Sequence, residues 1–221
     1  TTGDLEGEVC NRRDVPSLTE LAINTLLAEF KGVIKQIPPM YSALKHNGKP
    51  LYEYARQGIE IERPARSVNI IQLDLLGYMP ATESITLHVK CSKGTYIRSL
   101  IHDIGELIGC GAVVTQLRRT QVGLFSEADM ISLDELVAIS NKNPAELAKL
   151  TLPLSDAFSH LPSIRLSDEL LVRLHQGQEV YMEHSTCDLA AVTCKDGHFS
   201  GLVSVLEDAQ LKVIKLLPRG N

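Results

Sequence analysis

Apolar and polar positions along the chain fall into short regular runs, punctuated by glycine and proline. The cleanest run is 84–92, where Ile85, Leu87, Val89 and Cys91 alternate with Thr86, His88 and Lys90. A period of two places one set on a buried face and the other toward water. This run and the apolar stretch at 68–78 are therefore expected to be strands. Upstream, Leu18, Leu21, Leu26, Leu27 and Phe30 follow Ser17-Leu18-Thr19-Glu20, which reads as a capping box opening a helix that Gly32 stops. Thr95 is expected to cap a helix through Leu107, ended by Gly109-Cys110-Gly111, with a further strand around 112–119. Ser132-Leu133-Asp134-Glu135 is a second capping box.

Between these runs the chain is shaped by its turn residues. Consecutive prolines in Ile37-Pro38-Pro39-Met40-Tyr41 force an extended path. His46-Asn47-Gly48-Lys49-Pro50 reads as a tight turn, and Pro50 suits the first turn of a short helix over 51–56, closed by Gly58. The stretches 141–144 and 151–153 look like joints. After Leu161-Pro162 the texture changes to a helix over 167–175 and three strand-like runs near 188–194, 198–206 and 211–217. Lys195-Asp196-Gly197-His198 is a hairpin turn between the first two of those runs. The expectation is an α+β fold: a first domain over 1–155 and a small, mostly β domain over 156–221.

Composition and charge narrow the classes of function. The 221 residues are 44% hydrophobic, with 22 Lys+Arg against 27 Asp+Glu, a formal charge of −5. No stretch approaches the roughly 18–20 apolar residues that a membrane-spanning helix needs. No basic region precedes an apolar run at the N-terminus, so no secretory signal is expected. The missing initiator Met leads to the expectation that the chain begins inside a longer protein. The five scattered cysteines show neither metal-ligand spacing nor a disulfide framework, so no metal is expected and a reducing, cytoplasmic setting is. Each is more simply a small apolar side chain. Charge is uneven, however. Residues 31–67 carry seven basic and three acidic groups, while 126–221 carry eight and fourteen. Such a basic surface suits one polyanionic ligand held at one place, or is a solvated charged face.

Three places could carry chemistry. In Cys91-Ser92-Lys93-Gly94-Thr95-Tyr96-Ile97-Arg98-Ser99 a strand ends, the chain turns and a helix starts. Arg98 then falls in the first turn, where the macrodipole disfavours a cation by about 0.3–1 kcal/mol. A carboxylate or phosphate gripped by its guanidinium fork would offset that cost. Tyr96 is either a core aromatic or a ring beside the same site. The 38–67 segment combines Tyr41, Tyr52 and Tyr54 with basic groups, a pairing suited to RNA phosphates and unpaired bases. Leu117-Arg118-Arg119 is either a structural Leu with surface arginines or a further binding patch. Gly-x-Ser-x-Gly, P-loop and dinucleotide-binding motifs are absent.

These residues carry a resemblance. Ile37 to Lys45, Gly48-Lys49, Leu51 to Ile59, Cys91 to Arg98, Gly109 to Ala112 and Leu117 to Thr120 are similar, in order, to the TruB family of bacterial tRNA pseudouridine synthases. The likeness runs from Thr2-Gly3-Asp4 through Leu136, and the tail from about 163 more loosely resembles the family's PUA-type RNA-binding domain. The resemblance implies a mixed or antiparallel sheet flanked by helices. It also implies a cofactor-free isomerisation, in which a T-loop uridine of tRNA is flipped out, detached at N1 and reattached through C5, with an aspartate as nucleophile. Carried over, Arg98 pairs with that aspartate, Tyr96 lies against the flipped base and Leu117 packs on the uracil. The segment 38–67 is a thumb-like insertion that closes on the T-arm, with Tyr41, Lys45, Lys49 and Arg56 on it. Lys93, Arg118 and Arg119 are further candidates for substrate contact, and Asp4 belongs to a substrate-side loop. The expected partner is the tRNA T-arm stem-loop, with no membrane and a monomeric full-length protein.

One departure matters. The family's catalytic aspartate sits in Gly-x-x-Asp-Pro-x-Ala-x-Gly, and no such stretch occurs here; a second family tyrosine in a Lys-x-Tyr context is also absent. The expectation is a fragment of an enzyme, inactive alone, whose Arg98 awaits a carboxylate from elsewhere. The alternative is a tRNA-binding or tRNA-chaperone module without chemistry.

Overall fold

Leu18 and Ile23 decide where the first helix begins. The computed structural model describes residues 1–183 and 185–218, and in it α1 spans Glu20–Ala28, with the Thr19 hydroxyl accepting from the Ala22 amide at 3.2 Å. The expected Ser17 cap is thus displaced by two residues. Leu18, just before the cap, packs with the core that contains Ile23, a hydrophobic staple that fixes the entry of the chain. The helix ends at Ala28 rather than at Gly32, whose φ of +91° instead turns the chain into β1 (Gly32–Gln36).

A hairpin follows: β2 (Lys45–His46) and β3 (Lys49–Pro50) flank Asn47 and Gly48, both at positive φ. Then come α2 (Leu51–Ala55), β4 (Arg66–Met79), β5 (Ser84–Cys91) and α3 (Ile97–Ile108). β1, β4 and β5 form an antiparallel sheet in that order. Its two slips in register explain the doublets Ile70-Ile71 and Leu75-Leu76. Ile71 and Leu76 are the extra residues of β-bulges and face outward, which keeps Ile70 and Leu73 in the core with Ile23, Leu27, Leu100 and Ile104.

The described residues divide into two compact units between Arg118 and Arg119. The second opens with the short hairpin β6 (Gln121–Val122) and β7 (Phe125–Ser126), then α4 (Leu133–Lys142) and α5 (Leu147–Leu150). Ser132 and Glu135 form the expected capping box. A four-stranded sheet in the order β11-β10-β9-β8 completes the unit. It is built from β8 (Ser163–Arg165), β9 (Cys187–Thr193), β10 (Phe199–Val205) and β11 (Leu211–Leu216), with α6 (Asp168–His175) between β8 and β9. β8 runs parallel to β9 and the other pairs are antiparallel. Ile164, Leu171, Leu174, Val192, Val203 and Val205 are among the residues of its core. The architecture is α+β, with separate cores in the two units.

Two further expectations need correction. No strand forms over 112–119: Val114 makes a single bridge to Asp4, its amide donating to the Gly3 carbonyl at 3.0 Å, and the positive φ of Gly3 turns that partner segment sharply. Thr95 does not cap α3 either. Its hydroxyl donates to the Ser92 carbonyl at 2.8 Å, closing the turn through Gly94, and the helix starts after Tyr96.

Candidate active site

The site is built at the start of α3 by a buried amide. Gln36, the last residue of β1, is 2% exposed, and its side chain clasps the Tyr96 backbone. Its Nε2 donates to the Tyr96 carbonyl at 3.1 Å, and its Oε1 accepts from the Tyr96 amide at 2.8 Å. This pair of bonds continues the sheet's bonding through a side chain and fixes the residue that opens the helix. No acidic residue lies in the first turn of α3, so the helix end and Arg98 add their positive charge.

Arg98 is held on three sides. Its Nη1 donates to the Thr2 carbonyl at 3.0 Å and to Asp4 Oδ2 at 3.2 Å; its Nη2 donates to the Tyr41 carbonyl at 2.7 Å. A guanidinium has five N–H donors, so two remain uncommitted. Asp4 is anchored in turn, its Oδ1 accepting from the Thr2 hydroxyl and from the Glu6 amide. The Thr2 hydroxyl, then the Glu6 amide and the Arg98 guanidinium, hold the Asp4 carboxyl below its usual 3.8, against the opposing effect of desolvation. The expectation that this chain supplies no acid to Arg98 is therefore wrong. The positive φ of Gly3 folds the N-terminal segment back so that Asp4 reaches the helix entrance.

The structure brings Arg98, Asp4 and the Tyr41 backbone together, with the half-buried Tyr96 in the same turn. Lys45 is exposed on β2. Lys49, on β3, lies 4.8 Å from the Tyr54 ring centroid and 3.9 Å from the Glu53 carboxylate, and Arg56 lies 5.2 Å from the Tyr52 ring. Lys93 is exposed in the turn after β5. Leu117 is 61% exposed, which removes the reading of it as a core residue; Arg118 and Arg119 are exposed beside it. Sequence reasoning missed Gln36. Its signal was faint, an uncharged polar residue ending the run Gly32-Val33-Ile34-Lys35. It also missed Arg13, which clamps Glu106 and donates to the Gly109 carbonyl at the end of α3. Among the described residues no three His, Cys, Asp or Glu side chains gather where a metal ion could sit, and no helix is long and apolar enough to cross a membrane.

Comparison with known proteins gives a consistent result. Residues 1–97 match the family model of the TruB family pseudouridylate synthase (N terminal domain), and residues 98–159 that of the tRNA pseudouridylate synthase B C-terminal domain. The chain is 43% identical over 220 residues to the tRNA pseudouridine synthase B of Coxiella burnetii (strain Dugway 5J108-111), covering 99% of this chain and 71% of the relative. It is 40% identical over 226 residues to that of Yersinia pestis (strain Pestoides F), covering 98% and 68%. Among solved structures, a chain of a Cbf5-Nop10-Gar1 complex superposes with a TM-score of 0.71 at 26% identity, over 93% of this chain and 64% of that one. A chain of an H/ACA RNP bound to a substrate RNA containing 2'-deoxyuridine shares the fold, with a TM-score of 0.68 at 23% identity, over 93% and 63%.

Proposed function

The chain belongs to the TruB family of pseudouridylate synthases, and from that premise we propose that it is the tRNA-gripping and Arg98-bearing part of an enzyme that isomerises a T-loop uridine to pseudouridine. The observation that carries the proposal is the Arg98 cluster, a preorganised cation at a helix entrance with two donors left over. In the reaction the uracil leaves the stack, its N1 bond to the ribose breaks, and C5 takes that place; the C5 proton passes to solvent and N1 gains one in exchange. All other atoms are retained, so the chemistry needs no external redox partner. Base extraction costs a few kcal/mol, which contacts to the flipped nucleotide offset.

In this scheme the two uncommitted donors of Arg98 hold the attacking carboxylate ionised, and Asp4 and the Tyr41 carbonyl keep the guanidinium from moving. Tyr96 supplies a ring against the flipped base, and Leu117 an apolar surface for the uracil. Tyr41, Lys45, Lys49 and Arg56 on the 38–67 arm, with Lys93, Arg118 and Arg119, contact the T-arm. Residues 156–221 act as a PUA-like RNA-binding domain. A cytoplasmic monomer fits this assignment. Asp4 is a positioning residue in this scheme, because both its oxygens are occupied.

The test is tritium release from tRNA labelled at C5 of uridine, run beside T-arm binding. The 221-residue chain is expected to bind the T-arm and release nothing above background, since no Gly-x-x-Asp-Pro stretch occurs in it. Release by the chain alone would overturn the division of labour. That same absence favours a second reading, a tRNA-binding or tRNA-chaperone module without chemistry. An encoded frame continuing upstream to an Asp-Pro motif decides for the enzyme; one starting near Thr1 decides for the module.

A further inference from the structure

Beneath the β2–β3 hairpin lies a small cleft of about 70 Å³, lined by Pro38, Leu44, Leu51 and Ile61 and ringed by charged side chains. Sites for drug-sized molecules occupy about 300–1,000 Å³, so this one admits only a small group. Lys45 and His46 come from β2, Arg63 from the loop before β4, and Arg66 from the first residue of β4; Glu62 is the one acid on the rim. The fold thus brings together four basic side chains spread over 22 positions of the sequence.

The four basic groups differ in how they are held. Arg63 is a fixed element, with Nε donating to the Ile61 carbonyl at 3.0 Å, Nη1 to the Pro38 carbonyl at 3.2 Å and Nη2 to Glu60 at 3.0 Å. Two of its five donors remain. The His46 ring stands edge-on to Tyr54, with centroids 6.0 Å apart. The side chains of Lys45 and Arg66 have no hydrogen bond or ion pair to any described residue. Unpaired like charges around an apolar floor repel each other, and that floor weakens solvent screening. In a chain whose net charge is −5, an anion is the ligand that relieves such an arrangement. Tetrahedral oxyanions match both the size of the cleft and the donor set.

We propose that Lys45, His46, Arg63 and Arg66 form a phosphate notch at the root of the 38–67 arm, which takes one backbone phosphodiester of bound RNA. The proposal rests on reading that arm as the RNA grip. It goes further by assigning His46, Arg63 and Arg66, and by giving Glu62 a part: its carboxylate competes with the phosphate and weakens binding.

The test is fluorescence anisotropy of a T-arm stem-loop RNA with the 221-residue chain over a salt series. Lys45→Ala/Arg66→Ala is expected to weaken binding several-fold and to flatten the salt slope by about one unit for each cation lost. Glu62→Gln is expected to tighten binding, a change that loss of a merely structural role would not produce. Lys45, Glu62 and Arg66 are all on the surface, so the variants retain the fold. Wild-type binding with an unchanged slope in the double variant overturns the notch and leaves the arm as the RNA grip. No binding by the wild-type chain overturns both. Titration with inorganic phosphate, followed at the His46 ring protons, then shows whether the cleft takes the free ion instead. Saturable shifts there without RNA binding overturn the phosphodiester assignment in favour of free phosphate.

Discussion

A single carboxylate, that of Asp4, shows how local chemistry sets the state of the site. Its acidity depends first on the Thr2 hydroxyl and only then on the Glu6 amide and Arg98. Because folding lowers its pKa, its ion pair is intact above the ordinary value of 3.8 and is lost only as the pH falls through the lowered one. An NMR titration of the Asp4 carboxyl is expected to give a midpoint below 3.8, and Thr2→Val to move that midpoint upward. An unmoved midpoint would transfer the cause to the Glu6 amide and Arg98. Gln36 makes the complementary point for a neutral group. Replacing it with Leu leaves the Tyr96 amide without its partner, at a cost of about 1–3 kcal/mol. Urea unfolding measures this, and Gln36→Glu, which sets a buried carboxylate oxygen against the Tyr96 carbonyl, should cost at least as much at neutral pH.

At the scale of the element, packing overrules propensity in α3. Helix propensity alone makes Gly105→Ala favourable by about 1 kcal/mol. A Cβ at Gly105, however, would sit 2.2 Å from the Ala112 nitrogen and 2.3 Å from the Gly111 carbonyl carbon, backbone atoms that cannot step aside. Gly105→Ala is therefore expected to destabilise by about 1–3 kcal/mol, the sign opposite to propensity; a rise in thermal stability would contradict the packing. The same tension explains what was legible in the sequence. β5 could be read because its alternation and its burial coincide, and α4 because Ser132 and Glu135 sit beside each other in the chain. β1 was missed because Gly32–Gln36 becomes a strand only by pairing with Arg66–Ile70, a long-range event, and three-residue β8 only through its parallel neighbour. The start of α1 moved because two residues that favour caps, Ser17 and Thr19, compete, and the contact between Leu18 and the core decides. Arg98 could be singled out from its unfavourable place in the first turn. Its partner Asp4, 94 residues away, could not be foreseen.

Across the whole molecule, charge is divided rather than spread. Residues 1–118 carry thirteen basic and thirteen acidic side chains, and residues 119–221 nine and fourteen. Binding of a polyanion therefore cannot come from net charge; it depends on where the cations stand. The cations placed on the RNA above are Lys45, Lys49, Arg56, Arg63, Arg66, Lys93, Arg118 and Arg119, of which Lys49 and Arg63 are partly neutralised by Glu53 and Glu60. The log–log slope of T-arm binding against salt is accordingly expected to be about −5 to −7. Anisotropy over a salt series measures it, and a slope near −10 would mean that much more of the surface takes part.

Whether Arg98 faces an internal carboxylate or an RNA phosphate is decided by separating turnover from affinity. The measurement is Arg98→Ala in the protein carrying the Asp-Pro stretch, with tritium release and tRNA affinity determined side by side. Turnover is predicted to fall by about 10²–10³-fold while affinity for tRNA stays at the parent value; a matching loss of both would show that the guanidinium binds RNA instead.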